Sequence, residues 1–141
     1  MTQEEKELLL LDISGRLQSG LKVRCINLSD EMPKVWDLIG MPAPHLADIL
    51  VEGSHRFAAV NIEESIRPYL RPLSSMTEEE KSELRILWYE DFVGERSPFY
   101  IYPCYVKTMN FYNSHHFDYR GLIPMGLALE APEGLYNTKT E

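Results

Sequence analysis

The sequence has few cysteines, no long apolar run and no cluster of basic residues. Cys25 and Cys104 lie far apart among apolar neighbours, so we predict buried free thiols in a reducing compartment. The longest strongly apolar run near the N-terminus, Leu8 to Leu11, is far shorter than the ~20 residues that cross a bilayer. Because the first residues are acidic where a signal peptide would be basic, we expect a cytoplasmic protein that does not enter membranes.

Positive charge is scarce. The chain has 14 Lys and Arg residues against 22 Asp and Glu residues, which gives a formal net charge of −8. Proteins that bind duplex DNA need several cationic contacts with phosphates, so direct binding to nucleic acid is disfavoured. The acidity favours solubility through charge repulsion. A second interpretation is an acidic surface that imitates the phosphates of DNA and inhibits a nucleic-acid enzyme of the host.

The motifs of the common enzyme classes are also missing. The sequence has no Walker A motif, no GxGxxG and no GxSxG, and neither cysteine lies in a motif that would lower the pKa of its thiol. These absences argue against the common nucleotide-binding and hydrolytic enzymes. We therefore lean against an enzyme and expect no cofactor.

The apolar content is nevertheless that of a globular domain, with 44% hydrophobic and 11% aromatic residues. We predict one domain over residues 1–141, with a tail that frays after about residue 136. Thr2 and Glu5 have the spacing of a capping box and predict a helix over 3–18. Alternating apolar residues and short turns predict three or four antiparallel strands over about 21–62. The predicted fold is α+β, with this small sheet covered by the N-terminal helix and by C-terminal helices.

Two helices are predicted in the second half of the chain. A second capping box, Thr77 with Glu80, opens a helix over about 78–92, in which Trp88 is the expected packing anchor of an apolar stripe. Pro103 suits the first turn of another helix. Its expected apolar stripe consists of Tyr105, Met109, Tyr112 and His116.

The segment His115-His116-Phe117-Asp118 is the one cluster in the sequence that resembles a metal or acid–base site. Imidazole and carboxylate groups bind zinc or iron, and a His–Asp pair can move protons. His115, His116 and Asp118 are therefore the candidate catalytic residues and the candidate metal ligands. Adjacent histidines diverge by about 100° on a helix, so a complete site would need His45 or His55. The alternative is that His116 and Tyr119 pack, while Asp118 and Arg120 cap or bridge the helix end.

Two other groups of residues are candidates for interactions. Arg67 and Arg71 each precede a proline, four residues apart, and could present two guanidinium groups to a carboxylate or phosphate. The other interpretation is an extended connector whose arginines pair with nearby acids. Tyr100, Tyr102 and Tyr105 are candidate anchors for a protein partner, because tyrosine is favoured at interfaces. Their alternative role is in the core of the domain.

Three stretches of the sequence carry a resemblance to known proteins. They are Thr2–Leu17, Arg67–Glu80 (RPYLRPLSSMTEEE), and His115–Ile123 (HHFDYRGLI) continued by Gly126–Gly134 (GLALEAPEG). Together they resemble a family of small uncharacterised proteins encoded by prophages and phage-like elements of gut anaerobic bacteria. The resemblance implies a phage or mobile-element setting and a location in the host cytoplasm. It implies no catalytic residues. It also favours an accessory role, since many small phage proteins act by binding.

Three functions follow from these patterns. The first is an interaction module, a phage accessory protein that binds a host or phage protein. The second is a small metal-binding protein or hydrolase-like enzyme that uses the His115–Asp118 segment. The third is an acidic DNA mimic that inhibits a host nucleic-acid enzyme. The interaction module is the preferred prediction.

Overall fold

The computed structural model describes residues 2–25, 35–43, 46–51, 57–61, 66–95 and 106–136, in which one helix is followed by five strands, two further helices and a last short strand. The helices in this part of the chain are α1 (Gln3–Gly15), α2 (Glu78–Glu95) and α3 (Val106–Ser114). The strands are β1 (Lys22–Cys25), β2 (Trp36–Ala43), β3 (Leu46–Val51), β4 (Phe57–Asn61), β5 (Ile66–Leu70) and β6 (Leu129–Glu130). A short 3-10 turn, Leu73–Ser75, joins β5 to α2.

The strands form one mixed sheet in the order β4-β3-β2-β1-β5-β6. Strands β1 to β4 pair antiparallel with their neighbours in sequence, and β5 pairs antiparallel with β1. Strand β6 lies parallel to β5, with Tyr69 opposite Leu129. The predicted α+β class is confirmed, and four antiparallel strands lie within 21–62. The segment interpreted as an extended connector contains β5, which lies between β1 and the edge strand β6.

Helix α1 packs one face against the sheet. The hydroxyl of Thr2 accepts a hydrogen bond from the Glu5 amide (3.1 Å), as the capping spacing predicts. Leu9 and Ile13, one turn apart, are fully buried. The helix ends at Gly15, three residues before the predicted end, because the Arg16 amide bonds back to the Ile13 carbonyl in a tighter turn (3.1 Å).

The buried core joins α1, the central strands and the last third of the chain. Its members are Leu9, Ile13, Leu21, Val23, Cys25, Trp36, Leu38, Ile66, Leu70, Leu122, Leu127 and Ala128. None of these residues belongs to α2 or α3. The turn-rich segment after α3 therefore supplies much of the cover that was predicted for the C-terminal helices. The Cys25 thiol is free and buried, and burial raises its pKa to about 11. Cys104 lies outside the described residues.

Helix α2 begins at the predicted capping box but turns a different side inward. The Thr77 amide donates to Glu80 Oε1 (3.0 Å), and the Glu80 amide donates to the Thr77 hydroxyl (3.1 Å). Glu80 is buried, and Leu84 and Leu87 are half-buried at i+4 and i+7. The prediction that Trp88 anchors the packing is wrong, since 52% of its surface is exposed. Trp88 lies 100° beyond Leu87, at the edge of the inward stripe.

Helix α3 ends before the predicted stripe is complete. Its buried residues are Thr108 and Phe111, and it stops at Ser114. His116 then adopts a left-handed backbone conformation with φ of 62°. The His116 amide bonds to the Asn113 carbonyl (3.2 Å) and the Phe117 amide to the Tyr112 carbonyl (2.9 Å), the two bonds of a Schellman cap. His116 therefore occupies the position that glycine usually holds, and it does not continue the helical stripe.

Candidate functional site

The segment after α3 extends the sheet by one residue beside the end of β5. The Arg71 amide donates to the His116 carbonyl (2.7 Å), and the Asp118 amide donates to the Arg71 carbonyl (2.8 Å). Phe117, fully buried, is thereby fixed opposite Arg71, whose guanidinium lies 4.3 Å from the centre of the Phe117 ring. The three candidate residues His115, His116 and Asp118 surround Phe117 but point to different partners.

His115 belongs to an ion-pair cluster around Glu80. Arg71 donates two hydrogen bonds of 2.8 Å to the two oxygens of Glu80. His115 Nδ1 lies 3.0 Å from Glu80 Oε2. Bonding to Arg71 lowers the pKa of the Glu80 carboxyl to about 2, against the opposing effect of burial. The cluster ties the end of β5 to the first turn of α2 and the end of α3. Arg71 thus pairs with a nearby acid, which was one of the two roles considered for it.

His116 is buried and electrically neutral near pH 7. Its ring stacks on Tyr136, with centroids 3.6 Å apart and planes inclined by 15°. Burial, followed by the positive charge of Arg16, lowers the pKa of His116 to about 4. His116 Nδ1 and Arg16 Nη1 are the buried side-chain atoms of the described residues that lack a hydrogen-bond partner. His116 therefore packs, and no hydrogen bond joins it to Asp118 within the described part of the chain.

Tyr136 places its hydroxyl between β1 and β5 where their pairing stops. The last paired residues are Val23 and Pro68, so Lys22 and Tyr69 would come next. Instead, the Tyr136 hydroxyl accepts from the Lys22 amide (2.9 Å) and donates to the Tyr69 carbonyl (2.8 Å). Burial raises the pKa of Tyr136. The hydroxyl thus bridges the two strands in place of a direct ladder bond.

Asp118 acts as a local cap. Its two carboxylate oxygens accept hydrogen bonds from the amides of Leu122 (2.8 Å) and Ile123 (3.0 Å). This arrangement fixes the turn that carries the core residues Leu122 and Leu127. Both oxygens are engaged by the backbone, so the carboxylate has a structural role in the observed arrangement.

A second buried cluster links α1 to the same segment. Arg16 donates to both oxygens of Asp12 (2.9 and 3.2 Å) and to the Phe117 carbonyl (2.5 Å), and both side chains are fully buried. Arg120 donates to Asp12 from the other side (3.1 Å). The Tyr119 ring lies against both guanidinium groups, at 4.9 and 5.0 Å. Sequence spacing does not indicate Asp12 and Arg16 as partners of this segment, because more than 100 residues separate them from it.

The described residues contain no group of three or more His, Cys, Asp or Glu side chains that could hold a metal ion. His45 and His55, which a complete site would need, lie outside the described residues. Tyr100, Tyr102 and Tyr105 also lie outside them. Arg67 lies directly opposite Arg24 in the sheet and donates to the Ile66 carbonyl (2.7 Å), whereas Arg71 donates to Glu80. Burial lowers the pKa of Arg67.

Two open cavities are lined by polar residues. One, of about 290 Å³, lies beside Arg71, Thr77, Glu133 and Tyr136. The other, of about 390 Å³, lies between the ends of α1 and α3, and its lining includes Ser14, Gln18, Asn110 and Asn113. In the first cavity the Arg71 guanidinium is committed to Glu80. In the second, the Ser14 hydroxyl donates to a carbonyl of its own helix (3.0 Å).

Helix α2 exposes three large apolar side chains: Ile86, Trp88 and Tyr89 are 60%, 52% and 64% exposed, and we call these three residues the α2 face. Tyr89 lies between the other two around the helix, and Trp88 lies at the edge of the inward stripe. Helical periodicity assigned Trp88 to the core and did not distinguish Ile86 or Tyr89. A signal was present, because Ile86 and Tyr89 are apolar residues three apart that fall outside the Leu84–Leu87 stripe. A helix with apolar residues on more than one side presents a second apolar surface besides the one that packs on the core.

None of the described helices is long and apolar enough to span a bilayer. No family model matches the chain, and neither a curated protein nor a solved structure shows significant similarity to it.

Proposed function

We propose that this protein is an interaction module that binds a partner protein through the α2 face. The observation that carries the proposal is the exposure of Ile86, Trp88 and Tyr89, each more than half accessible on one helix. Exposed apolar side chains that lie close together, as Ile86 and Tyr89 do three residues apart on the helix, mark interaction sites. Tryptophan and tyrosine are also the residues that most often dominate binding energy at interfaces.

The rigid attachment of α2 supports the same proposal. Its first turn is held by the capping box and by the Arg71–Glu80 pair. Lys107 on α3 forms an ion pair with Glu90 (2.7 Å) farther along the helix. A preorganised helix loses little conformational entropy when a partner binds, which favours affinity.

The partner is a host or phage protein in the cytoplasm, a setting drawn from the resemblance to prophage-encoded proteins. The proposal places no chemistry on His115, His116 or Asp118. Glu80 holds His115, and backbone amides hold both oxygens of Asp118. These contacts favour a structural role for the segment over the metal-binding or hydrolytic alternative.

Photo-crosslinking tests the proposal directly. A photoreactive phenylalanine analogue would replace Trp88 in one variant and Leu11, which is 55% exposed on α1, in a matched control. In cells that make the protein, we expect a discrete crosslinked protein from position 88 and none from position 11. The same adducts from both positions, or none from position 88 at normal expression, would refute docking at the α2 face.

A further inference from the structure

Two buried polar atoms have no hydrogen-bond partner among the described residues where the end of α1 meets the segment after α3. They are Arg16 Nη1 and His116 Nδ1. Arg16 is fully buried, and His116 is 8% exposed. A buried polar group without a partner costs free energy comparable to a lost hydrogen bond, so such groups in folded proteins usually bond to protein or to internal water. Both atoms therefore need a partner.

The guanidinium of Arg16 lies beside the stacked rings of His116 and Tyr136. Arg16 Nη2 donates to the carbonyl of Phe117, the residue that follows His116. After burial, the positive charge of Arg16 is the largest cause that lowers the pKa of His116. Burial raises the pKa of Tyr136, and the charge of Arg16 is among the effects that oppose the rise. Asp12 occupies Nε and Nη2 of the guanidinium, so Nη1 is the nitrogen that remains for a partner on this side.

The two atoms are complementary as donor and acceptor. Arg16 Nη1 can only donate, because a guanidinium has no acceptor. The imidazole of His116 is neutral near pH 7, and its Nδ1 accepts when the proton is on Nε2. No direct hydrogen bond joins the two atoms. A water molecule can accept from the first and donate to the second, which is how internal waters commonly satisfy buried polar groups.

We propose that one internal water molecule joins Arg16 to His116, accepting a hydrogen bond from Arg16 Nη1 and donating one to His116 Nδ1. This bridge fixes the proton of His116 on Nε2. It also connects the buried Asp12–Arg16 pair to the ring of Tyr136, and so joins the end of α1 to the C-terminal segment through its polar groups.

A small anion fits this position less well than water. Arg16, Lys22 and Arg71 each add to the effect of burial in lowering the pKa of His116, so positive charge surrounds the imidazole. Each of these three side chains nevertheless forms an ion pair with a carboxylate, which neutralises its charge locally. An anion would also need a proton on His116 Nδ1, whereas water needs the lone pair there. The position of that proton therefore distinguishes the two occupants.

A high-resolution crystal structure and NMR spectra of the full-length protein test the bridge together. At neutral pH we expect one water peak within about 3.2 Å of both Arg16 Nη1 and His116 Nδ1. Because crystals at ordinary resolution do not show the imidazole proton, long-range nitrogen–proton spectra assign it, and we expect it on Nε2. Crystals soaked in bromide should give no anomalous peak at this position.

Matched variants show whether the water depends on the imidazole. His116→Phe removes the acceptor and should remove the water, whereas Tyr136→Phe keeps a ring against His116 and should retain it. Water relaxation dispersion counts long-lived internal waters in solution. It should report fewer such waters in His116→Phe than in the unmodified protein, and an unchanged number in Tyr136→Phe.

Four outcomes would overturn the bridge. A proton on Nδ1, or an anomalous bromide peak, would identify an anion in place of water. Two separate water peaks, or a direct hydrogen bond between the side chains, would show that no single molecule joins them. An unchanged number of long-lived waters in His116→Phe would show that the imidazole does not hold the water. If His116→Phe fails to fold, the density and the spectra of the unmodified protein still decide.

Discussion

At the scale of single residues, the Glu80 carboxylate connects three elements. It accepts from the Thr77 amide at the start of α2 and from Arg71 after β5, and it lies 3.0 Å from His115 Nδ1 after α3. A carboxylate with this many donors is stabilised in its charged form, which is why its pKa falls to about 2. Loss of its charge would leave the buried Arg71 guanidinium without a counter-ion, and such a charge is costly.

Glu80→Gln should therefore destabilise the protein and change its response to acid. The folded pKa of about 2 lies below the ordinary value of 4.5, so the stabilisation is complete above pH 4.5 and is lost as the pH falls toward 2. A difference of this size corresponds to about 3 kcal/mol. Urea unfolding between pH 7 and pH 2 should show a shallower acid limb for Glu80→Gln. Glu83→Gln, at an exposed site on the same helix, should match the unmodified protein.

Titration of His116 should make the free energy of unfolding depend on pH over a second, higher range. Its pKa is about 4 in the folded protein against an ordinary value of 6.5, so as the pH falls the unfolded chain binds the proton first. Stability should be complete above pH 6.5 and decline by about 3 kcal/mol as the pH falls to 4. His116→Phe keeps an aromatic ring against Tyr136 and removes the titration. If the slope of stability between pH 6.5 and 4 is the same in His116→Phe, the buried neutral histidine is not its source.

Tyr136→Phe tests the hydroxyl bridge between β1 and β5. The substitution leaves the Lys22 amide and the Tyr69 carbonyl without their shared partner, which should cost about 1–3 kcal/mol. Denaturant unfolding measures the cost, and faster hydrogen exchange at the Lys22 amide locates it. Tyr89→Phe removes a hydroxyl from a side chain that is 64% exposed and should change stability by less than about 0.5 kcal/mol.

At the scale of elements, the two C-terminal helices differ in how much they contribute to the core. Helix α3 buries Phe111 against Phe117, with ring centroids 6.0 Å apart. Helix α2 is buried at Glu80 and only partly at Leu84 and Leu87 over its described side chains. The two C-terminal helices therefore contribute unequally to the core. Truncation of an aromatic residue should destabilise the protein more in α3 than in α2.

Trp88→Ala should change the free energy of unfolding by less than about 1 kcal/mol, whereas Phe111→Ala should lower it by about 3–5 kcal/mol. The reason is that 52% of Trp88 is exposed and only 3% of Phe111. Urea titration measures both. Acrylamide should quench one of the two tryptophans readily, since Trp36 is 2% exposed. A loss of several kcal/mol in Trp88→Ala would mean that the helix packs through that residue after all.

The sequence predicted elements whose signals are local. Both capping boxes mark true helix starts, because the hydrogen bonds involved join residues three apart. The strand prediction over 21–62 succeeded for the same reason, since alternation and turns are short-range features. The prediction that Trp88 packs in the core was wrong because periodicity identifies the residues that share a helical face but not what that face contacts. The cap at His116 was not predicted, because glycine is the usual residue at that position.

The polar clusters could not be predicted, because their partners are distant in sequence. Arg16 bonds to the carbonyl of Phe117, 101 residues away, and Tyr136 bonds to Lys22, 114 residues away. Spacing carries no information about pairs of this kind. The sequence identifies the His115–Asp118 segment as a cluster of polar residues. It does not identify Glu80, Arg71 and Tyr136 as partners of this segment, because only the tertiary structure brings them close to it.

At the scale of the whole molecule, stability should be uneven. Strands β1 and β5 lie at the centre of the core and are held by the Tyr136 hydroxyl at one end. Native-state hydrogen exchange should show the Val23 and Arg24 amides opening only with global unfolding. Amides of α2 around Arg85 to Tyr89 should open at a lower free energy. Equal protection in both regions would contradict this difference, which we expect because the described side chains of α2 are less buried than those of β1.

The joining of the first helix to the last part of the chain has a consequence for synthesis. Phe117 and Arg120, which complete the buried cluster of Asp12 and Arg16, are synthesised more than 100 residues after them. Strand β5 likewise pairs with β6, which is synthesised after both α2 and α3. During that interval the nascent chain exposes an incomplete, partly apolar sheet to which chaperones can bind.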